Sequence, residues 1–309
     1  MVRGIIKSGI TEMSTIVGII GLGIMGSAMS GNLLAAGFRV IGNDIDETRR
    51  DAFTAKGGIP ADSPADVARQ ADRIILSLPS VAAFDQVISG EHGLASVAGD
   101  DLIIIETGTL PIDVKERGRD VLAAGGAVML DCPLSGTGAQ AVTRDLAVYA
   151  SGSEPAYRRC VAIFEGFARA HYHVGPFGDG SKMKFVANHL VAIHNVAAAE
   201  AMVLGMKAGL DAELIYKVIG DGAGSSRMFE IRGPMMVEND YSEATMKVEV
   251  WQKDMSIIGN FAAALDCPTP LFAASGSIYN AAMAQGHARN DTAAVCAVMQ
   301  EMARLDRTT

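Results

Sequence analysis

The 309-residue chain predicts an α/β fold, with an N-terminal Rossmann-type doubly wound sheet and an all-α C-terminal domain joined by one long helix. Three observations carry this expectation. A β-branched run ends in spaced glycines at Gly21, Gly23 and Gly26. Strand and helix patterns then alternate as far as Val174, and from Gly178 alanine-rich helical patterns take over up to residue 304. The expected division is residues 14–177 for the sheet domain and 178–309 for the helical one.

The composition narrows the classes of function. Hydrophobic residues make up 49% and the mean hydropathy is positive, which excludes a largely disordered chain. A net charge of −9 argues against a nucleic-acid partner. Charge or glycine interrupts every apolar stretch before the roughly 18 residues that suggest a membrane span, so no membrane partner is expected. Cys132, Cys160, Cys267 and Cys296 have no CxxC or metal-ligand spacing and read as buried thiols of a cytoplasmic protein. The six histidines are scattered, and no metal site is expected. Residues 1–13 lack the apolar core and cleavage site of a secretory signal, and Met13 is an alternative start.

Taken in order, Thr15 onwards reads TIVGIIGLGIMG, a strand running into Gly21-Leu22-Gly23-Ile24-Met25-Gly26 and then a helical pattern. In that context the first glycine makes the tight turn and the second admits a pyrophosphate. The third lets helix pack on strand, and the helix N-terminus offers free N–H groups. The next strand, Phe38–Asn43, ends at Asp44, where a carboxylate suits the ribose hydroxyls of NAD and repels the extra phosphate of NADP. Asp44 could instead cap the following helix together with Asp46. Further strands are expected at Arg73–Leu78, Leu102–Ile105, Ala127–Leu130, Leu146–Ala150 and His171–Val174, with a helix over Pro111–Ala124. Ligands bind beyond the carboxyl ends of such strands, which points to Leu78–Ser80 and Thr107–Thr109, both also ordinary turn sequences. The segment Asp131–Ala141, DCPLSGTGAQA, can hold a carboxylate on main-chain amides and the Ser135 hydroxyl, or be a plain Gly/Ser connection.

In the second half, GDGSKMKFVANHL opens an apolar run of nearly 30 residues, the expected spine of the helical domain, shared with a second subunit. Lys184 and Asn188, four residues apart, leave one helical face and could hold a substrate oxygen between a proton donor and an amide. Gly209 and Asp211 mark a stop and a new cap. Ser226 and Arg227 either cap a helix and face solvent or line a pocket, with Arg227 meeting a substrate anion. Lys253-Asp254 on a later helix reads by itself as solvated surface.

Together these stretches resemble the β-hydroxyacid dehydrogenase family, which includes 3-hydroxyisobutyrate dehydrogenase and tartronate semialdehyde reductase. IGLGIMGSAMSGNLLAAGF resembles its cofactor signature and DCPLSGTGAQA its substrate loop. GDGSKMKFVANHL resembles the catalytic stretch and KDMSII the KDxxxA cofactor contact. The resemblance implies a Rossmann domain joined by a long helix to an all-α domain, in dimers or tetramers. It makes Lys184, rather than Lys182, the general acid/base and Asn188 the residue that orients substrate. Ser135, Gly136 and Thr137 would hold the substrate carboxylate. Leu78, Pro79 and Thr107 would flank the nicotinamide, with Lys253 reaching toward it.

The chain departs from the family pattern at Thr137, Gln140 and Arg144, where glycines are usual, and at Ala187, where asparagine is. AGSSRMFEIR looks most like the L-threonate dehydrogenase branch, with Arg227 in place of tryptophan. The implied activity is hydride transfer between NAD and a small β-hydroxy or polyhydroxy acid. An imine reductase or a non-catalytic NAD(H)-binding protein on the same fold is the alternative.

Overall fold

The computed structural model describes residues 15–307, so the readings of residues 1–13 and of Met13 as a start lie outside the described residues. The chain begins with β1 (Ile16–Ile20), α1 (Ile24–Ala35), β2 (Arg39–Asn43), α2 (Glu47–Ala55) and β3 (Ile59–Pro60). It continues through α3 (Pro64–Ala68), β4 (Arg73–Leu76), α4 (Val81–Ser89), β5 (Ile103–Glu106), α5 (Ile112–Ala123) and β6 (Val128–Asp131). These six strands form one parallel sheet in the order β3-β2-β1-β4-β5-β6. The order reverses between β1 and β4, and the crevice at their carboxyl ends is where such sheets take ligands. Fully buried strands explain the apolar runs IVGII and RIIL, which show no alternation because helices cover both faces. Met29, Leu33, Phe164 and Phe167 fill one side, and Phe84, Ile88, Leu94 and Leu122 the other.

The last strands depart from the expected single sheet. The elements are β7 (Leu134–Ser135), α6 (Gly138–Val142), β8 (Ala147–Ala150), α7 (Glu154–Phe167) and β9 (Ala170–His173). Strands β7, β8 and β9 make a separate three-stranded sheet, antiparallel between β7 and β8 and parallel between β8 and β9. Pro133, which has no N–H to give a ladder, sits where the chain leaves β6.

Beyond it runs α8 (Asp179–Lys207), 29 residues long. It is followed by α9 (Ala212–Gly220), α10 (Arg227–Glu238), α11 (Val248–Ala264), α12 (Pro270–Ala284) and α13 (Val295–Met302). Helices α9 to α13 all pack on α8, burying Phe185, Ala192, Ala199 and Met202 against Phe229, Trp251, Phe272 and Tyr279. The expectation that no apolar stretch reaches spanning length is corrected here, because α8 is long and apolar enough by length and composition to cross a membrane. Its charges are few and, Glu200 apart, lie near its ends, and its middle is alanine-rich, which suits a helix packed by other helices. A buried ion pair, Arg232 Nε to Asp291 Oδ1 at 3.0 Å, ties α10 to the segment before α13. The reading of four buried thiols is also corrected: Cys132, Cys160 and Cys296 are buried, but Cys267 follows α11 in an exposed turn.

Candidate active site

At the first β–α turn the glycines divide their work as the chemistry requires. Gly21 has φ 91°, and a Cβ there would lie 2.3 Å from the Ser77 carbonyl oxygen. At Gly26 a Cβ would meet the Gly21 oxygen at 1.9 Å, so only glycine lets α1 start this close to β1. Gly23 is open, with only Arg49 Nη1 near at 3.7 Å. No side chain caps α1, whose N-cap is Gly23, which leaves the N–H groups of Ile24 and Met25 directed at a prospective phosphate. This cradle fits a dinucleotide.

Asp44 is buried at the end of β2 and does not cap α2; Asp46 does, accepting the Thr48 N–H at 3.0 Å. The Asp44 carboxylate accepts the Leu22 N–H at 2.7 Å and the Asp46 N–H at 2.9 Å, fixing the glycine turn against β2. A carboxylate has about four acceptor positions, which leaves capacity for ribose hydroxyls. The helical turn of α2 brings Arg49 back to within 3.4 Å of both Asp44 and Asp46, a return that sequence distance concealed.

The loops after β4 and β5 lie together. Leu78 is half-buried, Pro79 is exposed, and a Cβ at Gly108 would lie 3.4 Å from the Leu78 oxygen. Thr107 is buried, and its hydroxyl donates to the Leu76 oxygen at 2.6 Å. It therefore shapes the loop and has no proton to offer a ligand.

Lys184 lies one turn into α8, half-buried, with no hydrogen bond or ion pair among the described residues. Burial lowers its pKa to about 8; Asp254 opposes that shift and Lys253 adds to it. Asn188 is buried four residues on and donates through Nδ2 to Asp254 Oδ2 at 3.0 Å, leaving its amide oxygen for a substrate hydroxyl. Asp254 Oδ1 meets Lys253 Nζ at 3.2 Å, and Lys253 donates to the Thr109 oxygen at 2.6 Å. The solvated reading of Lys253-Asp254 is thus corrected. Asp254 is buried, and the pair bridges α11 to the β5 loop. A Lys-Asp dipeptide gives no sign of this in sequence; only its position between Trp251 and Met255, both buried, hinted at an inward face.

In the substrate loop Ser135, Gly136 and Thr137 line up at the end of β7, each half-buried. The Thr137 N–H is already engaged, donating to Gln140 Oε1 at 3.0 Å in a capping box that starts α6. Gln140 Nε2 donates to Asp145 Oδ2 at 2.9 Å, and Asp145 also pairs with Arg169 at 2.7 Å and Arg227 at 3.3 Å. Arg227 is exposed and pairs with Glu230 as well, while Ser226 caps α10 by accepting the Phe229 N–H at 3.1 Å. Arg227 thus crosses from the helical domain to the loop after α6, and Ser226 serves the helix.

Comparison with known proteins agrees with this arrangement. Residues 16–175 match the NAD binding domain of 6-phosphogluconate dehydrogenase, and residues 178–299 match the NAD-binding family of NADP-dependent 3-hydroxyisobutyrate dehydrogenase. An L-threonate dehydrogenase of Cupriavidus necator is 34% identical over 92% of this chain and 95% of its own. A 2-(hydroxymethyl)glutarate dehydrogenase of Eubacterium barkeri is 28% identical over 94% of this chain and 97% of its own. The crystal structure of a 3-hydroxyisobutyrate dehydrogenase from Salmonella typhimurium superposes with a TM-score of 0.83 at 30% identity, covering 92% of this chain and all of that one. A glycine cradle that fits a dinucleotide and relatives matched nearly end to end make this chain a member of the β-hydroxyacid dehydrogenase family, NAD(P)-dependent oxidoreductases of small hydroxy acids.

Proposed function

We propose that Lys184 is the general acid/base for oxidation of a small β-hydroxy or polyhydroxy acid and for reduction of the corresponding carbonyl. One observation carries this reading: Lys184 shares a face of α8 with Asn188, has no hydrogen bond or ion pair among the described residues, and is lowered by burial to a pKa of about 8. The bound nicotinamide supplies or accepts the hydride. In oxidation, neutral Lys184 takes the hydroxyl proton as the hydride leaves; in reduction, the ammonium returns it. Asn188, held by Asp254, orients the substrate oxygen. Ser135 and the amide of Gly136 receive the carboxylate, and Thr137 joins them when Gln140 releases its N–H. The name of the Cupriavidus relative supports a polyhydroxy acid of the L-threonate type, and Arg227 with Ser226 then borders the far end of the substrate.

Lys184→Ala is expected to lower kcat by about 1,000-fold, within the range for general acid/base groups, while NADH binding by fluorescence stays within a few-fold. Retained turnover in that variant would sink the assignment. An absorbance screen across threonate, 3-hydroxyisobutyrate, glycerate and related acids identifies the substrate. Reduction of cyclic imines with no hydroxy-acid turnover would favour the imine-reductase alternative, and tight NADH binding with no turnover the non-catalytic one. The buried Asp44 predicts at least about 10-fold better kcat/KM with NAD than NADP. Equal use of both would remove its role and point to Arg49 as a phosphate contact.

The reading divides the chain at residues 14–177 and 178–309 and places the protein in the cytoplasm as a homodimer or homotetramer. Exposed Val186, Leu190 and Leu204 on α8 and Leu214 and Val218 on α9 support assembly through the helical domain. Light scattering that gives a monomer would remove that part.

A further inference from the structure

Beneath the cofactor loop lies a cluster of charges that the reaction as described does not use. Lys115 of α5 is fully buried, and its ammonium reaches Glu106 Oε2 at 2.5 Å, Asp131 Oδ1 at 2.7 Å and the Gly108 oxygen at 2.7 Å. Glu106 and Asp131 are register partners at the ends of β5 and β6 and are also fully buried. The ammonium donates hydrogen bonds to Asp131 and to the Gly108 oxygen and meets Glu106 as an ion pair.

The contacts run outward in both directions. On one side, Asp131 Oδ2 accepts the Ser181 N–H at 2.8 Å and Oδ1 accepts the Ser181 hydroxyl at 2.8 Å. The Gly180 N–H donates to Ser151 Oγ at 2.9 Å, and Ser151 Oγ donates in turn to the Asp131 oxygen at 3.1 Å. These groups satisfy first-turn amides of α8, which needs a partner wherever a helix start is buried. The seat is tight: a Cβ at Gly180 would come within 2.3 Å of the Tyr149 oxygen and 2.7 Å of the Asp131 oxygen. Lys184 follows Ser181 by one turn.

On the other side, Lys115 holds the Gly108 oxygen and Lys253 holds the next one, that of Thr109. Lys253 meets Asp254, and Asp254 holds Asn188, back on α8. The path closes on itself: Lys115, Asp131, Ser181, along α8 to Asn188, then Asp254, Lys253, Thr109, Gly108 and Lys115 again. Lys184 sits on the α8 segment between the two points where the ring grips the helix.

We propose that Lys115 is a positioning residue for the hydride-transfer reaction, fixing the start of α8 through Asp131 and Ser181 and the β5 loop through Gly108, so that the Lys184 amine and the nicotinamide-side loop keep one spacing. Three features carry it. The ammonium is fully buried and held by two hydrogen bonds and an ion pair, so it takes no part in proton transfer itself. It bonds the loop wall at Gly108 and, through Asp131, the start of α8 at Ser181, the end of the ring opposite the Lys253–Asp254–Asn188 link. A displacement of about 1 Å between reacting groups costs on the order of 100-fold in rate, so a rigid spacing is worth holding. The charged groups acting on Lys184 are Asp254 and Lys253 of α11, and Lys115 reaches it only through the placement of α8.

The inference rests on Lys184 as the acid/base, and the test separates the two. Lys115→Met leaves two buried carboxylates without a counter-charge and can fail to fold. The informative variant is therefore Lys115→Met with Glu106→Gln. One ammonium against two carboxylates becomes one carboxylate, so the net charge of the cluster stays at −1. Ser181→Ala, which keeps every charge and loses only the hydroxyl bond, is the milder companion. In folded double variant we expect kcat to fall at least about 10-fold with KM for the hydroxy acid within about threefold. The pH limb of kcat, expected in the parent where Lys184 titrates, moves upward toward an ordinary lysine as α8 loosens and water reaches Lys184. Ser181→Ala shifts both in the same sense by less.

A folded double variant with the parent's kcat and pH limb overturns the proposal, even if its melting temperature is lower, because a purely structural role predicts that pattern. Where the double variant does not fold, a parent-like Ser181→Ala overturns it. Lys184→Ala run in parallel distinguishes the failures. Turnover in Lys184→Ala defeats the acid/base reading and this proposal with it. A dead Lys184→Ala beside an unaffected double variant defeats only the role of Lys115.

Discussion

The seat of α8 and the rim of the cleft use the same residue types, yet water reaches only one of them. At the seat, Lys115, Glu106 and Asp131 are fully buried and 2.5–2.7 Å apart. Burial opposes the ammonium, but Asp131 and Glu106 outweigh it and hold Lys115 above its ordinary range, whereas burial raises Glu106 despite Lys115. At the rim, Asp145 is shared by Gln140, Arg169 and Arg227, the last 64% exposed and 3.3 Å away. In the dry seat the interaction is strong and any missing member leaves a buried charge. At the rim, solvent screens the pair and its removal costs little. The lesson is a division of labour: buried charges set the geometry where substitution is expensive, and most departures from the family pattern, Ala187 on α8 excepted, lie where it is cheap. Thr137, Gln140 and Arg227 all belong to the rim network.

That contrast can be broken by measurement. The largest expected effect is Lys115→Met alone, which should cost about 3–5 kcal/mol in urea denaturation at pH 7 and lose little of that cost in 1 M salt. A loss below about 1 kcal/mol would mean that water enters the seat, and the contrast would fail.

Lys184 tests the dry region from the opposite side, since it is half-buried with no partner. Burial holds its folded pKa to about 8, below the 10.5 of an ordinary lysine. Between those values the unfolded chain binds more protons than the folded one, so stability should rise with pH across that window. At pH 7, Lys184→Met should therefore raise stability, by about 1 kcal/mol after allowing for solvent screening, while abolishing turnover. Thermal melts at pH 7 and pH 10 check the sign, and a destabilised variant would show that the lysine has a partner.

The smallest effect is expected at Arg227. Arg227→Ala should change stability by less than about 1 kcal/mol. It should raise KM severalfold for a substrate with a charged or polar far end and leave kcat alone. Steady-state kinetics that show an unchanged KM would return Arg227 to a solvated role.

What was legible in the sequence follows the same physical line. The Gly21-x-Gly23-x-x-Gly26 turn announces itself because backbone geometry demands glycine locally. The Lys184–Asn188 spacing is likewise a local property of one helix. The partners of these groups come from strands and helices far away in the chain: Asp254 lies 66 residues from Asn188, and Ser181 lies 50 from Asp131. No periodicity encodes such pairs, so Lys253-Asp254 read as surface and nothing in the helix over Pro111–Ala124 singled out Lys115. The two-residue strands β3 and β7 are too short for any alternation to show. That β8 and β9 form their own sheet is set by β7 pairing back on β8, which is again a long-range event. The rim holds a further contact that the resemblance of the loop gave no sign of: Gln140, where a glycine is usual, accepts the Thr137 N–H.

The seat of α8 also fixes an order of assembly. A chain is synthesised from its N-terminus, and domains fold as they emerge. Asp131, Ser151 and Lys115 leave the ribosome before Gly180 and Ser181, so the six-stranded sheet can close and present a finished socket to the incoming helix. The helix in turn is the post on which α9 to α13 are hung. The all-α half thus inherits its starting point from the α/β half and not the reverse. The molecule is built in one direction, with Lys184, the proposed acid/base, placed at the moment the two halves first meet.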